Sequence, residues 1–275
     1  MNSHRSQVRA TFTEPLYLSV YSRWDDDRLN AFEVRDFANL LYQRALAVGN
    51  DLYDPTAYDL FELDSQCYQD RLTFYLRRRS WAEWYFGVGT PARQLTLLGQ
   101  DEVELKLRLS RQIVDEVRHH DVFANVVRAR GGEWRLASFT PPRALLQMHS
   151  EQLITQSAAE LAAANQYSGE IVLSVQSRAE GNILRLLVDE PTMKAIEGIE
   201  NDEPAHIAIG RDLIRRFAVS ADHRRRMADA QERFLVALIE QHRAEIEMLG
   251  AKRTRPLPCL SQREPYAEDR YARCT

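Results

Sequence analysis

Two copies of one short pattern, Asp-Glu-x-x-His, stand out in this chain. The first copy covers residues 115–119 and the second covers residues 202–206. In each copy the glutamate and the histidine are three residues apart, so a helix would present both side chains on the same face. A carboxylate beside an imidazole is a suitable ligand pair for a divalent transition metal such as iron or manganese.

A further glutamate precedes each copy by the same distance. Glu83 lies 33 residues before Glu116, and Glu170 lies 33 residues before Glu203. The two halves together supply four glutamates and two histidines, the ligand set of a carboxylate-bridged pair of metal ions in a four-helix bundle. The six predicted ligands are Glu83, Glu116, His119, Glu170, Glu203 and His206.

A single Glu-x-x-His carries little information, because a chain of this composition is expected to contain about half an occurrence by chance. The preceding aspartate lowers the expected number of such copies to about 0.04. Two copies with matched upstream glutamates therefore favour a metal site over a row of solvated helix charges. Glu180 is the alternative ligand on the third helix, although its separation of 23 residues from Glu203 does not match the first half.

The charge of the predicted site also indicates its metal. Four carboxylates in an apolar bundle core are very costly unless cations compensate them, and two divalent ions supply about +4. We expect two irons, or one manganese and one iron. Asp115 and Asp202 are each expected to accept a hydrogen bond from the histidine of the opposite helix, with a solvent-facing charge as the alternative.

The hydrophobic pattern predicts about seven helices and no strand. Gly49 and the segment 87–91 are expected to end the first two helices. Pro204 is expected to kink its helix or to mark a helix that begins near Asp202. The predicted helices cover residues 30–48, 58–88, 101–129, 142 to about 165, 170–188, 192–218 and 221–249.

The order of these helices predicts the fold. The ligands of each half lie on two neighbouring helices, and one long crossover joins the halves, as a ferritin-like bundle requires. We predict a single all-α domain over residues 1–275, a ferritin-like four-helix bundle with additional flanking helices. Its metal-binding core covers about 75–215, and an irregular tail covers about 253–275.

Composition excludes several function classes. The net charge of −4 argues against a nucleic-acid binder that works through a basic surface. The three cysteines lie far apart and predict neither a disulfide framework nor a zinc site. No apolar run of membrane-spanning length and no signal peptide is evident, so we expect a cytoplasmic protein.

The residues 199–206 resemble the fourth-helix motif of the ferritin-like carboxylate-bridged di-iron oxygenases. That superfamily includes hydrocarbon monooxygenases, acyl desaturases, ribonucleotide reductase small subunits and arylamine N-oxygenases. Gly169 and Glu170, with Ser174 one turn later, are similar to the third helix of the hydrocarbon monooxygenases. This resemblance implies that Ser174 acts catalytically beside an oxygen pocket, which we expect to be apolar and to include Ile113 and Phe123.

At two positions the sequence differs from particular members of this superfamily. Phe123 stands where ribonucleotide reductase small subunits carry their radical tyrosine, which disfavours a tyrosyl-radical subunit. Ile199 stands where arylamine N-oxygenases carry a third histidine, so that extra ligand is missing.

The resemblance implies an O2-dependent monooxygenase that hydroxylates, N-oxygenates or desaturates a small organic metabolite. Electrons would come from an external ferredoxin or reductase, because the sequence has no flavin or nicotinamide fingerprint. The alternatives are a ferroxidase or iron-storage protein and a structural bundle without metal. Extra helices before residue 75 and after residue 220 favour a monomeric or homodimeric enzyme over a cage.

Overall fold

The computed structural model describes residues 32–54, 65–186 and 189–248, together with Leu257. Within these ranges the regular structure is helical throughout and contains no strand, so the prediction of an all-α chain is confirmed. In chain order the helices are α1 (Val34–Leu52), α2 (Ser65–Ala82), π1 (Glu83–Val88), α3 (Gly89–Leu97), α4 (Val103–Ala129), a short 3-10 turn (Leu136–Ser138), α5 (Arg143–Ile154), α6 (Ala158–Leu161), π2 (Ala162–Gly169), α7 (Glu170–Leu186), α8 (Glu190–Glu200), α9 (Glu203–Phe217) and α10 (Ala221–Met248).

Two glycine-based helix ends that the sequence predicts are wrong. The helix α1 continues through Gly49 to Leu52, because Gly49 packs closely against the backbone of Val172 on α7. The segment 87–91 likewise does not end a helix. Here α2, π1 and α3 are contiguous, and the chain stays helical through Pro91.

The second half of the chain also differs from the expected boundaries. The helix predicted from residue 142 to about 165 is interrupted after α5, and Ser157 caps a new helix through its side-chain oxygen. Here α6, π2 and α7 are contiguous. At Pro204 the structure follows the second alternative, since α9 begins at Glu203 with the proline in its first turn.

The helices that carry the predicted ligands pack against one another in two halves. In the first half, α4 packs along α2, π1 and α3. In the second half, π2 packs against α9, and α7 packs against α8. The flanking helices α1 and α10 both contact π2, and residues from α1 to α10 belong to one hydrophobic cluster.

Buried ion pairs connect the flanking helix α10 to the rest of the packing. Arg44 of α1 pairs with Glu232, and Arg78 of α2 pairs with Glu245 at 2.8 Å. The Arg78 guanidinium also donates to Gln176 of α7 at 2.9 Å. Because a buried charge left alone is strongly destabilising, these pairs fix the position of α10 relative to α1 and α2.

Some predictions fall on parts of the chain that the structure does not describe. These are residues 1–31 of the predicted domain, the start of the helix predicted at residue 58, and the C-terminal tail apart from Leu257. No helix in the described ranges has the length and apolar character needed to cross a membrane.

Candidate metal centre

The structure brings all six predicted ligands together in the interior. Their residues are between 0% and 7% exposed, which is unusual for ionisable groups unless they are paired or bind metal. Four separate helical segments contribute them. Glu83 opens π1, Glu116 and His119 lie one turn apart on α4, Glu170 opens α7, and Glu203 and His206 lie on the first turn of α9.

Two groups of three residues have the spacing of metal sites. Glu83, Glu116 and His119 form one group, and Glu116, Glu170 and His206 form the other. Within each group the ligand atoms lie within 4.8 Å of one another. Glu116 belongs to both groups, which is the position expected for a carboxylate that bridges two ions.

Glu203 lies beside the second group. Its Oε2 atom is 3.4 Å from His206 Nδ1, and that nitrogen is 3.1 Å from Glu116 Oε1. Both Glu203 Oε2 and His206 Nδ1 are buried and form no well-aligned hydrogen bond with any described residue. Buried polar atoms normally have hydrogen-bond partners. A carboxylate oxygen and an imidazole nitrogen that lie close together without such partners fit a site that binds a cation.

The prediction for the two aspartates is confirmed. His119 Nε2 lies 3.1 Å from Asp202 Oδ2, and His206 Nε2 lies 3.4 Å from Asp115 Oδ2. Each histidine therefore presents Nδ1 to the carboxylate cluster and Nε2 to an aspartate from the opposite motif. Such an outer hydrogen bond fixes the tautomer and ring orientation of a metal-binding histidine.

Arg79 adds a fixed positive charge that the sequence analysis missed. Its guanidinium donates two hydrogen bonds to Glu83 Oε1, at 3.0 and 2.7 Å, and a third to Ser177 at 3.0 Å. Burial raises the pKa of Glu83, and although Arg79 opposes this, the pKa is about 7. Glu83 Oε2 makes none of these bonds to Arg79, and Glu83 belongs to the first metal-site group.

The pKa values of Glu170 and Glu116 are shifted in opposite directions. Burial and the neighbouring carboxylates of Glu203 and Glu116 raise the pKa of Glu170 well above its usual value. Burial alone would raise the pKa of Glu116, but His119 and His206 hold it well below the usual range. Perturbations of opposite sign within one cluster are typical of functional sites.

A relay of three glutamine amides ends at the cluster. Gln94 donates to Gln166 at 3.1 Å, and Gln166 donates to Gln112. Gln112 then donates to Glu116 Oε1 at 3.2 Å and contacts Glu170 Oε1 at 3.5 Å. Because each amide oxygen accepts from the previous one, the relay directs an N–H of Gln112 at the carboxylates and supports their ionised form.

The polar partners missed by the sequence analysis share a spacing. Arg79, Gln112 and Gln166 each precede a predicted ligand glutamate by four residues, which is one helical turn. Arg79 and Gln112 use that spacing to contact their own glutamates. The pattern was therefore available in the sequence as a supporting signal.

A partly open cavity reaches the cluster from one side, and the space among its lining residues, including the open space at its mouth, is about 590 Å³. Its lining includes two of the predicted ligands, Glu83 and Glu170, and is otherwise mostly apolar. Ile113, Phe123 and Ser174, which the sequence analysis expected beside an oxygen pocket, do not line this cavity. Helices α5 and α10, which sequence periodicity could not place, supply much of the wall instead.

Two further residues that the sequence analysis singled out are Ser174 and Glu180. Ser174 is partly buried, one turn beyond Glu170, and its carbonyl oxygen accepts a hydrogen bond from Arg178 at 3.2 Å. Leu173, not Ser174, lines the cavity, which therefore gives no support to the predicted catalytic serine. Glu170 holds the predicted ligand position, while the side chain of Glu180 lies outside the described part of the structure.

No family profile, curated protein or solved structure matches this chain.

The first prediction concerns Gly87 on π1, where a Cβ atom would lie 2.6 Å from Glu116 Oε2. We expect Gly87→Ala to displace the shared carboxylate and weaken metal binding at least about tenfold, a change of about 1.4 kcal/mol. Gly89→Ala is the matched control, because its Cβ would meet only the Gln152 amide at 3.0 Å. Equal metal affinities in the two variants, measured by anaerobic titration with ferrous ions, would contradict this role of Gly87.

The second prediction concerns protons. Burial alone would lower the pKa of His119 and His206, but the adjacent carboxylates, chiefly Glu116, raise them to about 9 and about 12. Both imidazoles are therefore in their positively charged form near neutral pH, and a metal ion must displace one proton from each. We expect ferrous binding to release at least two protons per chain and to tighten as the pH rises towards 9. Calorimetry in buffers of different ionisation enthalpy measures this release, and binding without it would contradict the assignment.

Proposed function

We propose that this protein is a non-heme di-iron oxygenase of the ferritin-like type. The observation that carries the proposal is the pair of three-residue groups that share Glu116. Glu83 and His119 would hold one ion, Glu170 and His206 would hold the other, and Glu116 would lie between them. Glu203, close to His206, is available to the second ion.

The donor chemistry favours iron or manganese. The six groups are carboxylates and imidazoles with no sulfur, which suits these metals better than copper(I) or an iron–sulfur cluster. Two ferrous ions bound here would supply the electrons and open coordination positions that O2 activation requires. An external ferredoxin or reductase would return the electrons to the site.

The chain's own residues perform the remaining tasks of such an enzyme. Asp115 and Asp202 hold the two histidines in one orientation. Arg79 fixes one oxygen of Glu83, and Gln112 donates to the shared carboxylate of Glu116. These bonds set the carboxylate positions before any substrate arrives, which lowers the cost of reorganisation during the reaction.

The cavity beside the cluster supports an oxygenase over an iron-storage protein. It places apolar walls next to Glu83 and Glu170, where a small organic molecule would be close to both proposed ions. Apolar walls also exclude water from the reacting groups. A storage protein needs a route for ions and a mineral surface, for which a mostly apolar cavity is poorly suited.

The third prediction tests the shared ligand by metal content. The wild-type chain should hold about two irons after anaerobic loading, while His119→Ala and His206→Ala should each lose about one. Glu116→Ala should lose more than either, because it removes a ligand from both groups. Glu180→Ala serves as the control and should retain the wild-type content.

Elemental analysis together with circular dichroism separates loss of metal from loss of fold in these variants. A wild-type chain that remains metal-free, or a folded Glu116→Ala variant with full metal content, would contradict the proposed site. Oxygen uptake by the reduced protein that requires an organic compound would distinguish the oxygenase from a ferroxidase. Mineral formation without any such dependence would favour iron storage.

A further inference from the structure

The charged groups on the cavity wall are already engaged with other protein groups. Arg78 is the cation among the described lining residues, and it pairs with Glu245 at 2.8 Å and with Gln176 at 2.9 Å. The lining carboxylates, Glu83 and Glu170, belong to the metal cluster. Among the described lining residues, no positively charged side chain is free to pair with an anionic ligand. Burying an unpaired charge is costly.

Most amides on the wall are engaged as well. Both ends of the Gln166 amide and both ends of the Gln112 amide take part in the relay. Asn165 donates to the Thr90 hydroxyl at 3.0 Å. The Gln112 and Gln166 amides are held by the protein at both ends, so a ligand would have to break existing bonds to use them, and Asn165 is held through its Nδ2 atom.

Gln241 of α10 differs from these amides. Its Nε2 donates to Glu245 Oε1 at 2.8 Å, and the Glu245 carboxylate accepts but does not donate in its pair with Arg78. This contact fixes the orientation of the amide and assigns Oε1 as the free end. Gln241 is 1% exposed, and Oε1 is buried without a hydrogen-bond partner among the described residues. A buried acceptor without a partner, on a residue of the cavity wall, points to a ligand that donates to it.

We infer that the cavity binds a neutral, mainly apolar molecule with one hydrogen-bond donor, a hydroxyl or an uncharged N–H, and that Gln241 Oε1 accepts from it. The apolar body would pack between Phe86 of π1 and Phe234 of α10, which both line the cavity. This inference rests on the proposed function for the identity of the ligand as substrate. Gln241 would then be a specificity-determining residue that orients one end of the substrate, while the cluster lies at the wall formed by Glu83 and Glu170.

Three compact probes of equal body and different head group test this inference: benzyl alcohol, benzyl methyl ether and benzoate. The alcohol donates one hydrogen bond, the ether only accepts, and benzoate carries a charge. Affinities are measured by ligand-observed NMR titration of the full chain, loaded anaerobically with ferrous ions and also metal-free. We expect the alcohol to bind about tenfold more tightly than the ether, since one satisfied buried bond is worth about that factor, and benzoate to bind most weakly to the metal-free chain.

Variants at two glutamines test whether Gln241 causes the preference for the alcohol over the ether. Gln241→Leu should abolish the preference for the alcohol and change the affinity for the ether by less than about twofold. Gln152→Leu is the matched control, because Gln152 is also buried with an unpartnered Oε1 but does not line the cavity. It should keep the preference of the wild-type chain.

Several results would overturn the inference. These are equal or tighter binding of the ether by the wild-type chain, equal or tighter binding of benzoate by the metal-free wild-type chain, an undiminished alcohol preference in Gln241→Leu, or no binding of any probe at millimolar concentration. If Gln241→Leu does not fold, the order of the three probe affinities in the wild-type chain still tests the inference. A chain that binds no iron but shows the Gln241-dependent preference would refute the proposed function alone, whereas a di-iron chain without that preference would refute this inference alone.

Discussion

The fold buries four glutamates and two histidines against one another, and their charge has to be balanced inside the protein. In the metal-free chain the balance comes partly from protons, since the pKa of Glu83, of Glu170 and of both histidines is raised. Arg79 adds one permanent positive charge beside Glu83. Two divalent ions would replace the protons and remove the repulsion between carboxylates, so metal binding and stability are linked.

The groups around the cluster follow from this constraint. Buried carboxylates need hydrogen-bond donors, and two are supplied from one helical turn earlier: Arg79 donates to one oxygen of Glu83, and Gln112 donates to the shared carboxylate of Glu116. A metal-binding imidazole needs an acceptor for its second nitrogen, and each aspartate meets it across the gap between α4 and α9. The duplicated Asp-Glu-x-x-His motif therefore encodes both the ligands and their supports.

The clustering of the six predicted ligands could be anticipated from sequence because the spacing within each motif is local, whereas other features depend on tertiary packing. A glutamate three residues before a histidine shares its helix face whatever the surroundings. The reciprocal role of Asp115 and Asp202 followed from the same repeat. Gly87, in contrast, resembled a helix breaker, and its position inside π1, against the carboxylate of Glu116, depends on how α4 packs against π1.

The cavity could not be predicted for the same physical reason. Its wall combines residues from π1, α4, π2 and α7 with residues from α5 and α10, which lie far apart in the chain. Helical periodicity predicts which face of each helix is buried, but it does not predict which helices meet. The expected pocket residue Phe123 is instead fully buried beneath Arg79, whose guanidinium lies 4.9 Å from its ring.

Each half of the site has a π-helical segment next to its upstream glutamate, on opposite sides of that residue. Glu83 is the first residue of π1, and Glu170 immediately follows π2. Such π-helical turns occur frequently at functional sites. A backbone irregularity therefore lies next to the upstream glutamate in both halves, but not at the same position.

The most direct test of the central claim is anomalous X-ray scattering at the iron edge from crystals of the ferrous-loaded protein. We predict two peaks about 3.5–4 Å apart, as in other two-metal sites. Glu116 should lie between the peaks, with His119 bound to one ion and His206 to the other. A single peak, or peaks away from Glu116, would contradict the assignment of this cluster as a carboxylate-bridged di-iron site.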